Sequence, residues 1–178
     1  MIFAVLATGP SMSLELAESL RGRCSVVAVS DAFRLAPWAD ALVSTDFAWW
    51  RKHTEAAEFK GLKFSGMVDY QKVEGVERMP GENATNSGLL GVKVAVKLGA
   101  TKVLLCGFDL RKPGEHFFGR HDGLRSTSAA RMEHFKTQFE RYRPRGVEII
   151  NCTPGSALRA YPVASLDACF AEPALHSS

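Results

Sequence analysis

Ile2-Phe3-Ala4-Val5-Leu6-Ala7-Thr8-Gly9-Pro10-Ser11 is the stretch whose reading decides the fold. Residues 2–7 are apolar without interruption, so the segment has no polar face to give to water. Strands that read this way are covered on both faces, the situation of a parallel sheet flanked by helices. A small-residue turn follows at once, and Ser11 or Ser13 can cap a helix that runs to about Leu20 and stops at Gly22. Its expected apolar face is Leu14, Leu16, Ala17 and Leu20. Strand, glycine turn and helix make up one β-α unit.

Moving outward, the same unit recurs. Apolar, β-branched runs at 25–29, 41–44, 102–106 and 147–150 read as further buried strands, and 62–65 as a weaker one. Helical patterns lie between them. Asp46 can cap a short helix through Trp49, Trp50 and His53. Asn86 or Ser87 can cap a longer one through Leu98, stopped by Gly99. Residues 127–142 read as an amphipathic helix buried along Met132, Phe135 and Phe139. The alternation predicts an α/β fold, a Rossmann-like three-layer α/β/α arrangement with a mostly parallel sheet. The 178 residues fit one domain, at about 150 residues per domain. It is expected over 1–170, with a loose tail at 171–178. Two stretches, 66–85 and 110–125, lack periodicity, and long irregular loops of this kind tend to carry function.

Composition narrows the function classes. Hydrophobic residues are 46% and charged residues 23% of the chain, which excludes a disordered, collagenous or coiled-coil protein. A net charge of +3 gives no electrostatic footprint for nucleic acid. Arg141-Tyr142-Arg143-Pro144-Arg145 is read as cations offsetting a helix dipole rather than as a nucleic-acid patch. No apolar run approaches the ~20 residues of a membrane span, and the first run lacks the basic flank of a secretion signal. Four cysteines (24, 106, 152, 169) have no CxxC spacing and read as reduced core thiols of a cytoplasmic protein. Trp49-Trp50 reads as core or as a homo-oligomer interface; Met12 and Met132 read as core.

Five motifs sit where strands end. Thr8-Gly9-Pro10-Ser11 is either an anion-binding turn or a tight turn with a serine cap. It is neither a GxGxxG fingerprint nor a P-loop. Asn86-Ser87-Gly88 is a second anion-receptive helix start or an ordinary N-cap. Asp109, after the 102–106 strand, is placed to hold a ribose, a metal or the following turn. His116-Phe117-Phe118-Gly119-Arg120-His121-Asp122 clusters two histidines with charge, suited to general acid-base work near neutral pH. The spacing of the two histidines matches no standard zinc pattern. Asn151-Cys152-Thr153-Pro154-Gly155-Ser156 ends the last strand.

The order of these pieces resembles the bacterial sialyltransferases of glycosyltransferase family 42. It also resembles the related DUF115 group, which includes MptE-like 6-hydroxymethylpterin diphosphokinase proteins. The resemblance runs from residue 2 to about 160 and is best over 86–110. It implies a Rossmann-like domain holding a nucleotide at the strand ends. Thr8, Gly9, Pro10 and Ser11 would lie near phosphate and ribose. Ser30 and Thr45 would stand where the family uses asparagines. Asn86, Ser87 and Gly88 would meet the phosphate or sugar, and Ser156, with the rest of 152–156, would line the base pocket. His121, or His116, would be the general base on an acceptor hydroxyl, and Asp109 would orient the histidine or ribose or hold Mg²⁺.

The chain departs from that family in having ATGPS where the family has GNGPS, and in lacking a tyrosine-bearing lid between Asp109 and the histidines. Arg111, Lys112 or Arg120 would then stabilise a leaving phosphate. The reading is a small transferase-like domain for a nucleotide or nucleotide-sugar ligand, using a CMP-type donor or ATP with Mg²⁺. The alternative is a catalytically inactive nucleotide- or anion-binding or structural domain of the same fold.

Overall fold

The computed structural model describes residues 1–66, 72–79, 86–120, 123–124 and 127–171. Strand β1 (Ile2–Leu6) sits inside a sheet of seven strands, between β2 (Ser25–Val29) and β6 (Lys102–Cys106). Beyond β2 lie β3 (Ala41–Val43), β4 (Leu62–Ser65) and the two-residue β5 (Glu77–Arg78); beyond β6 lies β7 (Glu148–Asn151). Every neighbouring pair is parallel. In register, Phe3 stands beside Ser25 on one side and Val103 on the other.

Alternation along the strands builds two cores. Ala4, Leu6, Val26, Ala28, Leu42, Leu104 and Cys106 point to one face. It is covered by α1 (Leu14–Leu20), α2 (Phe47–Lys52) and α5 (Leu166–Phe170). Phe3, Val5, Val27, Val29, Val43, Val103 and Leu105 point to the other. There α3 (Ser87–Lys97) and α4 (Ala129–Arg141) cover them. The expected three-layer α/β/α architecture is therefore present. Helix α3 approaches the sheet closely at Gly91, where a Cβ would sit 2.8 Å from Val5 Cγ1 and 2.9 Å from Val29 Cγ2.

Polar caps start the helices as the composition suggested. Ser13, Asp46, Asn86, Ser128 and Ser165 each accept a backbone N–H two or three residues ahead. Of the two caps read for α1, Ser13 is the one used; Leu14, expected on the apolar face, is instead 58% exposed, because it begins the helix before the buried stripe of Ala17 and Leu20. A 3-10 turn (Ser30–Arg34) links β2 to β3. Trp49 and Trp50 are core, not interface. Their indole N–H groups donate to Asp31 Oδ2 at 2.9 Å and to the Ser44 carbonyl at 3.0 Å. Strand β5 and helix α5 were not anticipated, because two charged residues and a five-residue helix carry no readable period. Among the described residues no helix is long and apolar enough to cross a membrane.

Candidate functional site

The strand order places the site. The chain builds from β1 outward through β2 to β5, then returns to the other side of β1 with β6 and β7. The carboxyl ends of β1 and β6 therefore carry connections that leave in opposite directions, the position where open α/β sheets leave a crevice. A cleft of about 790 Å³ lies there. Its walls come from the turns after β1 (Thr8, Gly9), β2 (Ser30), β3 (Ser44, Thr45) and β6 (Phe108, Asp109), the start of α3, and α4. A volume of this size suits a drug-sized small molecule.

The turn after β1 is held by the turn after β6. The Gly9 N–H donates to the Gly107 carbonyl at 2.8 Å, and the Ser11 hydroxyl donates to Asp109 Oδ2 at 2.7 Å. The Ser11 N–H reaches the same oxygen at 3.3 Å, and Met12 N–H donates to the Gly9 carbonyl at 3.0 Å. Pro10 has no N–H and is exposed. The amides expected to receive a phosphate thus have internal partners, and Pro10 and Ser11 lie outside the cleft lining. Gly9 is required here on steric grounds. A Cβ would come within 2.0 Å of Asp109 Oδ2 and 2.4 Å of the Gly107 carbonyl.

Asp109 is 1% exposed and its other oxygen accepts from Arg111 Nη2 at 3.2 Å. Its carboxylate is a buried clamp that holds the turn after β1 through Ser11 and also accepts from Arg111. Arg111 serves that clamp and, like exposed Arg120, is not among the cleft-lining residues. The cations that do line the cleft are Lys112, as expected, and Arg131. Arg131 was missed because the sequence of α4 reads as an ordinary polar helix face. Among the described residues no three His, Cys, Asp or Glu side chains form a group able to hold a metal ion.

The remaining expected residues divide cleanly. Thr45 and Ser87 join across the cleft floor: the Thr45 N–H donates to Ser87 Oγ at 3.0 Å and the two hydroxyls lie 2.9 Å apart. Ser30 takes a left-handed backbone, φ 47°, and its hydroxyl donates to Ser44 Oγ at 3.2 Å. Asn86 is buried, its Oδ1 accepting the Leu89 N–H and its Nδ2 donating to Gln138. It caps α3, while Ser87 and Gly88 open the helix, where N–H groups have no intrahelical acceptor. Ser156 is a correction: it is buried behind the cleft, its hydroxyl donating to the Phe108 carbonyl and accepting the Leu158 N–H. The 152–156 segment braces the β6 turn and is not among the residues that line this cleft. The apolar wall comes instead from Phe47, Trp49, Phe108, Phe135 and Phe139.

His116 lines the cleft and pairs with Thr8, Oγ1 to Nδ1 at 2.8 Å. The loop carrying it is anchored to β1's turn, because the Phe117 N–H donates to the Thr8 carbonyl at 2.9 Å. The Phe118 ring stacks on the imidazole, 4.9 Å between centroids and 2° between planes. His121 lies outside the described residues. Searches against family models, curated proteins and solved structures find nothing that matches this chain.

Proposed function

We propose that the cleft binds a nucleotide or nucleotide-sugar phosphate, and that the protein transfers a glycosyl or pyrophosphoryl group from it to a hydroxyl acceptor. The observation that carries this reading is the convergence at one switch-point cleft of the α3 start (Ser87, Gly88), two cations (Lys112, Arg131) and the Thr8–His116 pair. A phosphate is favoured at a helix start by unpaired N–H groups and the helix dipole. The aromatic wall supplies apolar surface for a base or sugar face. In the tautomer whose Nδ1–H donates to the Thr8 hydroxyl, Nε2 of His116 would carry the lone pair that a general base needs. It would take the acceptor's proton as the oxygen attacks, while Lys112 and Arg131 offset charge on the leaving phosphate.

The test is a thermal-shift and calorimetric series with CMP, CDP, UDP, ADP, ATP and CMP-sugars, with and without Mg²⁺. A ligand at one hundred times its Kd adds about 2.7 kcal/mol, a rise of roughly 5–10 °C for a domain of this size. Ser87→Trp, checked for folding by circular dichroism, should abolish the shift. His116→Ala should keep it and lose transfer. No shift with any nucleotide would end the reading. A second reading, binding without chemistry, is favoured by one observation. The acidic residue expected to serve catalysis, Asp109, is consumed in holding Ser11 and Arg111. Binding without release of the free nucleotide in the presence of acceptor hydroxyls would support it.

A further inference from the structure

The cysteines are arranged in a way the cleft does not use. Cys152 follows β7 and its N–H donates to the Leu105 carbonyl at 2.8 Å, so it lies beside the end of β6 on the face that α5 covers. Cys169 is on α5 itself. Their sulfur atoms are 3.6 Å apart, although the residues are 17 positions apart in sequence. Both are free thiols. Cys152 is 6% exposed, and Cys169 is partly exposed. Cys106 is fully buried on the same face, and Cys24 is partly exposed.

We propose that Cys152 and Cys169 are a reversible disulfide pair, closed by a small-molecule disulfide such as oxidised glutathione, that pins α5 to the end of the sheet. The first step belongs to the more exposed Cys169. Its thiolate attacks one sulfur of the oxidant, the oxidant's S–S bond breaks, and one glutathione thiolate leaves with the electron pair. Cys152 then attacks the Cys169 sulfur of the mixed disulfide and expels the second glutathione. Two protein thiols lose two electrons and two protons. The oxidant gains both and leaves as two thiols.

Burial pushes the Cys152 thiol up to about 12, and its hydrogen bond to Cys169 adds to that effect. Such a group is a poor first nucleophile in the bulk solution but is served in the second step by a partner already in contact. The two sulfurs are already in contact at 3.6 Å, so closure starts from an approach that the fold itself supplies.

The closed pair has a structural consequence. Thr153, next to Cys152, accepts the Phe108 N–H at 3.0 Å, and the Ala157 N–H donates to the Asp109 carbonyl at 2.8 Å. The disulfide would therefore fasten the segment that braces the cleft's β6 turn. In the reduced protein α5, only five residues long, is held by Ser165 capping, by Arg23 over the Phe170 ring and by packing of Leu166 and Phe170.

The experiment uses the whole chain, reduced, then exposed to oxidised glutathione at pH 8, with thiols counted by reagent and linked peptides mapped by mass spectrometry without reduction. The expected result is a fall from the four thiols of the sequence to two, a peptide joining Cys152 to Cys169, and a melting temperature raised by several degrees. Dithiothreitol should reverse all three changes. Cys169→Ser and, separately, Cys169→Ala should retain three thiols and show no rise, whereas Cys24→Ser should fall from three thiols to one with the parent's linked peptide and rise. Four thiols remaining would overturn the proposal. So would glutathione held as a stable mixed disulfide on Cys169, or a linked peptide containing Cys24 or Cys106.

Discussion

Replacing Gly9 with alanine and Asp109 with alanine, singly and together, tests how the site is held. In Gly9→Ala the new methyl would stand 2.0 Å from Asp109 Oδ2 and 2.4 Å from the Gly107 carbonyl, so the two turns must part. Forcing atoms into a packed site costs about 1–3 kcal/mol and more where backbone must move; the upper end, about 3 kcal/mol, is expected here. In Asp109→Ala the Ser11 hydroxyl and N–H lose their acceptor. Hydrogen bonds to a charged group contribute about 1.5–3 kcal/mol each. The Ser11 N–H at 3.3 Å is a weak one, and Arg111 is half-exposed and contributes little. A total of about 3 kcal/mol follows, or roughly 6–12 °C in melting temperature for a chain of this length.

The double variant decides the matter. Removing the carboxylate removes the nearest of the clashing atoms but leaves the Gly107 carbonyl. The two losses should therefore fall short of additivity by about 1–2 kcal/mol. Urea unfolding followed by the fluorescence of buried Trp49 and Trp50 measures all three variants. Additivity within about 0.5 kcal/mol would refute the claim that the carboxylate and Gly9 occupy one tightly shared space.

Two further outcomes follow from the packing. Gly91→Ala gains about 1 kcal/mol of helix propensity. It also drives a methyl to 2.8 Å from Val5 Cγ1 and 2.9 Å from Val29 Cγ2, both on stiff β-branched side chains. The clash should win by about 1 kcal/mol, and a urea midpoint at or above that of the parent protein would contradict it. Burial pushes the Tyr161 hydroxyl up to about 12, so between pH 10 and pH 12 the unfolded chain gives up this proton before the folded one does. The folded state then binds more protons and stability falls as pH rises through that window. Tyr161→Phe should show a shallower alkaline loss, measured as melting temperature against pH.

The strands were legible because apolar runs such as 2–7 and 102–106 leave a chain no choice but a two-sided core. Helix starts were legible because Asp46 and Asn86 do local chemistry that needs no tertiary context. The site was legible only in outline. That Asp109 faces Ser11 rather than a histidine depends on the approach of two turns ninety-eight residues apart, which no local pattern encodes. Ser156 looked like a ligand-facing hydroxyl for the same reason: its partner, the Phe108 carbonyl, is 48 residues away. Arg131 was overlooked because a cation in the first turn of a polar helix looks solvent-bound until the cleft beside it is seen.

The central position of β1 sets an order of events during synthesis. Its first partner, β2, begins about twenty residues later, but its second, β6, pairs Ile2 with Lys102 and emerges only after a hundred residues. Until then one flank of the most apolar strand has no neighbour. Closing so long a segment is slow compared with local helix formation. The cleft needs the turns after β1 and β6 and also α4, so a chain stopped before residue 109 would have the walls from β1 to β3 and the α3 start but neither Asp109 nor α4. The complete cleft is therefore reached only late in synthesis, and a nascent chain would need shielding along the open side of β1 up to the pairing with β6.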